Sequence, residues 1–246
     1  MLVVLVVPGS AEQSEEEQTR LLRSQRVDGV VYLSSTGSMP AASYELAPLR
    51  TGGPRRRADP PGVDLPAVVS DSRKGAREVA QHVIDNGHRR IAVIGGPESL
   101  WTAQQRLAGY REAFAGAGID PDSVPVLVGD YRQDAGYELA SRALAADIEP
   151  TALICANDLM AVGAMEYCRN SGRRMPNDVS IVGFDDLPLS SLLTPRLTSV
   201  RQPAHDMGYR ATTVLFDLIE NRTPAPMSLL PTTVQVRSSV CDINGA

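Results

Sequence analysis

Asp185 and Asp186 stand side by side at the end of an apolar run, Val179-Ser180-Ile181-Val182-Gly183-Phe184. Carboxylates accept hydrogen bonds, so such a pair can grip a polyol or divide acid and base work in a reaction. The run before them is too short for a helix and carries no charge, which reads as a strand buried on both faces. In open parallel sheets, ligands bind just beyond the carboxyl ends of the strands. The same layout recurs where Ala152-Leu153-Ile154-Cys155-Ala156 runs into Asn157-Asp158. Two strands with polar tips mark a binding site. Catalysis by the acid pair is disfavoured, because consecutive residues of an extended strand point to opposite faces and the two carboxyls part. Asp186 reads instead as a cap or structural acid.

Other reaction chemistries lack their signatures. Neither Gly-x-Gly-x-x-Gly nor a phosphate loop occurs, and Gly95-Gly96 alone is a weak hint of anion binding. There is no Gly-x-Ser-x-Gly elbow, and His82, His88 and His205 lack metal-ligand spacing. His88 suits a cation at a helix end, and the other two suit ordinary helix positions. The expectation is a protein that is not an enzyme, with no catalytic residue, no metal and no cofactor.

Composition points the same way. The 246 residues are 43% hydrophobic, enough for one large core or two modest ones, and only 4% aromatic. A formal charge of -5 gives no electrostatic footprint for nucleic acid across the chain. Cys155, Cys168 and Cys241 are an odd, scattered set, which argues against a disulfide framework and suits a reducing compartment. No apolar run reaches the ~18 residues of a membrane span. The apolar start lacks a basic leader and meets Pro8 too soon for a signal peptide. A cytoplasmic protein with no membrane contact is expected.

The elements that must position these residues alternate along the chain. Strands are predicted at 2–7, 29–33, 67–70, 90–94, 124–128, 152–156, 179–184, 197–202 and 232–237, the last alternating like an edge strand. Helices are predicted at 12–25, 71–86 (capped by Asp71, closed by Gly87), 101–117 (closed by Gly118), about 132–146, 158–171 (closed by Gly172) and 206–220. Strand-helix alternation of this length means α/β architecture with doubly wound parallel sheets. One stretch breaks the rhythm. Residues 50–61, Arg-Thr-Gly-Gly-Pro-Arg-Arg-Arg-Ala-Asp-Pro-Pro, fall where a buried strand is due, and arginine and proline cannot form one. They read as a solvated loop, less readily as a nucleic-acid contact. A third reading is a frame artefact, since arginine codons CGT-CGT-CGT read one base on give valine codons GTC.

Several segments, in order and spacing, resemble the lac-repressor (LacI) family: Ala67-Val68-Val69-Ser70-Asp71; Gly87-His88-Arg89-Arg90-Ile91-Ala92-Val93-Ile94-Gly95-Gly96-Pro97; Arg106-Leu107-Ala108-Gly109-Tyr110; Ala156-Asn157-Asp158-Leu159-Met160-Ala161; Val182-Gly183-Phe184-Asp185-Asp186; and Leu197-Thr198-Ser199-Val200-Arg201-Gln202-Pro203. They cover roughly residues 64–240. The resemblance implies a transcriptional regulator's effector-sensing domain with the two-lobed type I fold of periplasmic sugar-binding proteins, lobes joined by crossovers and ligand in the cleft between them. It implies an N-terminal lobe of residues 1–69 plus 203–222, a C-terminal lobe of 70–202 plus 223–240, and a tail at 241–246. A full member begins with a helix-turn-helix DNA-binding domain, a hinge and a first strand-helix unit, all of which lie outside this sequence. By that resemblance the chain reads as N-terminally truncated. Residues 50–61 stand where the family has its fourth strand and an Asp-Arg pair for sugar.

Position by position, the resemblance makes Arg106 the sugar-binding arginine, whose planar fork donates to two hydroxyls. Asp185 becomes their charge-assisted acceptor. Asn157, Gln202 on the third crossover, Tyr131 against the sugar face and Thr102 as a minor contact complete the implied effector site. Each residue has a plainer reading: Arg106 in a simple ion pair, Asn157 as a helix cap, Tyr131 in packing. The implied partners are a small-molecule effector, a sugar or nucleoside, a second copy of the chain in a homodimer, and DNA only through the absent N-terminal domain. The alternative is the sugar-binding protein of an ABC transporter, which shares the fold.

Overall fold

The computed structural model describes residues 3–6, 29–32, 66–146 and 149–244. Residues 50–61 and the helix predicted at 12–25 lie outside the described residues. Two compact units emerge, one from residues 1–70 and 203–230, the other from 71–202 and 231–246.

In the first unit, β1 (Val3–Val6) pairs in parallel with β2 (Gly29–Tyr32), Val3 opposite Gly29. β3 (Ala67–Ser70) pairs in parallel with β9 (Met227–Leu230). Helix α5 (Ala204–Ile219) packs on β2, β3 and β9. Leu215 of α5 sits where a Cβ on Gly29 would stand, so glycine lets helix and strand close up. β9 has no counterpart in the predicted elements. Its pairing with β3 carries residues 223–230 into this unit, whereas the sequence reading ended the segment at 222.

The second unit is a six-stranded sheet in the order β10-β8-β7-β6-β4-β5. Its strands are β4 (Ile91–Gly95), β5 (Val126–Val128), β6 (Ala152–Cys155), β7 (Ser180–Asp185), β8 (Thr198–Arg201) and β10 (Thr233–Gln235). All pairings are parallel except β10 on β8, and β10 is the edge strand that the alternation at 232–237 predicts. Helices α1 (Ser72–Asp85) and α2 (Trp101–Gly116) cover one face, and α3 (Gln133–Leu144) and α4 (Asp158–Asn170) the other.

The side chains explain the layering. Ile91, Val93, Ile154, Val182 and Phe184 pack with Val79, Val83, Tyr110 and Phe114 of α1 and α2. Their strand neighbours Ala92, Ile94, Leu153 and Ile181 pack with Leu139, Met160 and Met165 of α3 and α4. The period of two thus builds two cores from one sheet. Each large aliphatic or aromatic side chain so buried contributes about 1.5–3 kcal/mol. The helix ends follow their sequence signals. The Asp71 carboxylate accepts from Lys74 N at 3.0 Å, and Gly87 at φ 90° closes α1.

At the amino ends of the strands the polar groups are tied off. His88 is 1% exposed; its Nδ1 lies 2.9 Å from the Thr151 hydroxyl and its Nε2 3.1 Å from the Cys241 carbonyl. Those partners fit a neutral ring whose Nε2–H donates to the carbonyl while Nδ1 accepts from the hydroxyl. Burial lowers the His88 pKa, with the Cys241 carbonyl and the Asp242 charge opposing. The helix-end cation expected at His88 is therefore corrected to a buried neutral linker. The segment expected as a tail is held here as well. Cys241 N donates to Ser180 Oγ at 3.0 Å, and Ile243 N donates to the Asn86 carbonyl at 2.9 Å.

Candidate functional site

The site grows from the carboxyl ends of β6 and β7 and the first turns of the helices that follow β4 and β6. The Arg106 side chain projects from α2 and is 6% exposed. Its guanidinium lies over the Phe184 ring, 3.8 Å from the centroid, and 5.8 Å from that of Tyr131. Stacking a weakly hydrated planar cation on aromatic faces is what lets arginine be buried here. Its Nη1 donates to the Ala156 carbonyl and its Nη2 to Asp185 Oδ1 at 3.1 Å. Gln202 Nε2 donates to the same oxygen at 2.7 Å. Both bonds thus fall on Oδ1, and among the described residues no hydrogen bond falls on the other carboxylate oxygen. Burial raises the Asp185 pKa, against the opposing pull of Arg106 and Gln202.

The backbone bends to present these groups. Asp185, Asp186 and Tyr131 take φ values of 108°, 54° and 69°. Non-glycine residues in this region carry strain of about 1–3 kcal/mol each and gather at binding sites. The carboxyls of Asp185 and Asp186 part as expected, but through this left-handed turn rather than by the alternation of an extended strand. The Asp186 side chain is 3% exposed and answers Arg237 Nη2 and Arg201 Nε, each at 2.6 Å. It is a structural acid.

Asn157 caps α4, its Oδ1 accepting from Met160 N at 2.9 Å. Its amide also donates to the Tyr131 carbonyl at 2.9 Å, fixing the loop that carries the ring. Burial raises the Tyr131 pKa, with the Arg106 charge and the nearby Thr102 hydroxyl opposing. Arg106, Asp185, Gln202 and Tyr131 are therefore together, with Thr102 beside the ring. Asn157 joins them through the backbone, its side chain largely committed to the cap. A larger hollow of about 560 Å³, walled by Leu193, Pro195, Arg196, Val236 and Arg237 among others, holds none of these residues. Among the described residues no cluster of three or more His, Cys, Asp or Glu could hold a metal. No described helix is long and apolar enough to cross a membrane.

This geometry sits inside the stretch that matches a family model. Residues 80–240 match the periplasmic binding protein-like domain. This chain belongs to the periplasmic binding protein-like family, with the LacI-type regulators. It is 37% identical over 222 residues to the HTH-type transcriptional regulator CelR of Thermobifida fusca, covering 89% of this chain and 65% of that protein's length. The structure of a transcriptional regulator CelR-cellobiose complex superposes with a TM-score of 0.81 at 34% identity, covering 92% of this chain and 69% of the other. A regulatory protein of the LacI family from Chloroflexus aggregans also gives 0.81, at 32% identity, covering 95% of this chain and 84% of the other.

Three residues that the sequence reading passed over hold this LacI-type site in shape. Phe184 is the platform under Arg106, hidden in the sequence as one more apolar strand residue. Asp158 is fully buried and accepts from Leu187 N at 2.7 Å, Ser190 Oγ at 2.6 Å and Ser199 Oγ at 2.5 Å. It ties the start of α4 to β8 and to the 3-10 turn Pro188–Ser191. Burial raises its pKa even so. In the sequence it looks like an acid in a first helical turn; nothing there shows the hydroxyls from 190 and 199. Tyr110, read only as part of a motif, is buried directly behind Arg106.

Proposed function

We propose that this chain is the effector-sensing domain of a LacI-type transcriptional regulator and that its effector is a sugar. The observation that carries the reading is the Arg106–Asp185–Gln202 constellation at the strand tips. A planar five-donor cation beside a carboxylate offers donors and an acceptor to vicinal hydroxyls. The relative that shares this fold at 37% identity is a regulator, and its relative structure is a complex with cellobiose. Regulators rather than transport proteins are the company this sequence keeps, which disfavours the transporter reading.

In this proposal Asp185 and Arg106 bind ligand and catalyse nothing. Sugar binding favours one conformation of the domain and so biases DNA binding by population shift. DNA reading is assigned to a helix-turn-helix segment of the kind named in the relatives, and the working form is a cytoplasmic homodimer. The test is thermal unfolding with a panel of sugars headed by cellobiose and glucose. A ligand at 100 times its Kd should add about 2.7 kcal/mol of stability. Arg106→Ala and Asp185→Ala should each remove that gain. Variants that respond to sugar as the parent does would place the site elsewhere.

A further inference from the structure

Asp158 is a carboxylate at 0% exposure, and among the described residues no lysine, arginine or histidine pairs with it. Taking a charge out of water without a counter-ion is costly, so what its hydrogen bonds hold in place is informative. Two of its three bonds reach the turn that follows Phe184. Leu187 N donates to Oδ2 directly, at 2.7 Å. Asp186 N donates to Ser199 Oγ at 3.1 Å, and the Ser199 hydroxyl in turn donates to Asp158 Oδ1 at 2.5 Å. The strand pairing sets Ser199 of β8 opposite Gly183 of β7. A Cβ on Gly183 would collide with Asp158 Oδ1, so the glycine is what lets the carboxylate reach this place.

A hydroxyl that donates to an anion becomes a better acceptor, so ionised Asp158 strengthens the hold of Ser199 on the Asp186 amide. That hold falls on strained backbone. The φ values of 108° at Asp185 and 54° at Asp186 persist only where the surroundings over-determine them. The segment carrying Ser199 meets the same turn at two further points. Arg201 Nε donates to Asp186 Oδ2 at 2.6 Å, and Gln202 Nε2 donates to Asp185 Oδ1 at 2.7 Å. Those two hold side chains; of the three, Ser199 holds the main chain. We propose that Ser199 is a positioning residue of the effector site: backed by Asp158, its hydroxyl fixes the positive-φ turn and so aims the Asp185 carboxylate. Ser199 is 0% exposed and acts through Asp185, without touching ligand. The consequence for binding rests on the reading of Asp185 as a sugar acceptor; the consequence for the turn does not.

The fold supplies a matched control at the other end of the same two strands. Ser239, 1% exposed, also accepts from one backbone N–H, that of Thr198 at 2.8 Å, and donates to one oxygen, the Ile181 carbonyl at 2.5 Å. Ser199→Ala and Ser239→Ala in the full chain should therefore lower the urea midpoint to a similar degree. Ser199→Ala alone should act at the strand tip. Exchange of the Asp186 amide proton, measured relative to that of Ile154 in the core, should quicken about tenfold. The Asp185 carboxyl, followed by carbon-13 NMR, should titrate closer to the ordinary aspartate value. Cellobiose, the sugar probe, should bind about tenfold more weakly to Ser199→Ala and unchanged to Ser239→Ala. If Ser199→Ala does not fold, Ser199→Cys, which nearly keeps the shape and weakens both bonds, carries the same readouts. The proposal is overturned if the Asp186 amide and the Asp185 titration match the parent's, or if both variants change them equally. It is also overturned if the parent binds cellobiose and Ser199→Ala binds it as tightly. A parent that binds neither cellobiose nor glucose removes the sugar reading instead, and the amide and carboxyl readouts then decide the role of Ser199.

Discussion

The two ends of the six-stranded sheet are made of the same materials and treated in opposite ways. At the amino ends of the strands, His88, Thr151, Ser180 and the 241–244 segment form a closed set in which the polar groups answer one another. At the carboxyl ends the backbone takes positive φ at Asp185 and Asp186, the half-buried Asp185 has a raised pKa, and among the described residues Arg106 Nε and the Tyr110 and Tyr131 hydroxyls lack a hydrogen-bond partner. A satisfied end can only hold the fold together. An end that keeps strained backbone and unpaired donors has interactions left to give to a ligand, at some cost in stability.

The most severe break in this comparison is Asp158→Ala. This residue lies at the functional end but behaves like the other one, with both its oxygens in use. Its loss strands two buried hydroxyls and a backbone N–H, each costing about 1–3 kcal/mol. A destabilisation of about 3–5 kcal/mol by urea unfolding is expected, with an unchanged m-value. A loss below ~1 kcal/mol would mean that the buried triad is not what frames the tip.

A smaller effect probes the closed end. The His88 pKa is lowered on folding, so between that value and the ordinary 6.5 the unfolded chain binds the extra proton. Stability should be full above about pH 6.5 and fall as pH drops toward the folded value, with a slope of at most ~1.4 kcal/mol per pH unit for this one proton. His82, lowered chiefly by burial, adds in the same direction. Chemical denaturation across pH 5–8 measures the slope, and His88→Gln should flatten it. A parent whose stability is level through that range would show that the ring is not held neutral.

How far the sequence carried differs between the two ends. The strand tips were legible because short apolar runs ending in Asn157-Asp158 and Asp185-Asp186 announce both the strand and its polar terminus. Arg106, Asp185, Gln202 and Tyr131 then came from family resemblance, and they do meet in space. Asn157 kept two readings, and its cap bond to Met160 N shows the plainer one at work. The closed end was illegible. His88 meets Cys241 across 153 positions, a pairing no local pattern encodes. The same holds for Ser199 reaching Asp158 across 41 positions, and for β9, whose Met227–Leu230 run declares itself only by its partner β3. Periodicity reports which face is buried; it does not report which distant polar group is waiting there.

The finest discrimination between the two kinds of end comes from Asp185→Asn. Folding raises the pKa of this carboxyl, so between about pH 4 and the folded value the native state keeps a proton that the unfolded chain has lost, and stability falls as pH rises through that window. Asparagine keeps an oxygen at the Oδ1 position to accept from Gln202 Nε2 and Arg106 Nη2 and removes the half-buried charge. It also takes away the counter-charge of Arg106, so the two effects oppose. The net change in stability at pH 7 should stay within about 0.5–1 kcal/mol of the parent, despite replacing a half-buried, ion-paired residue. Its sugar-dependent gain in Tm should vanish, because the charge-assisted acceptor is gone. A structural acid behaves otherwise: Asp186→Asn strips two arginines of their shared partner and should destabilise clearly more. Should the two neighbouring substitutions cost the same, or should Asp185→Asn cost several kcal/mol, then Asp185 belongs with the groups that hold the fold, and the distinction between the ends fails at its central residue.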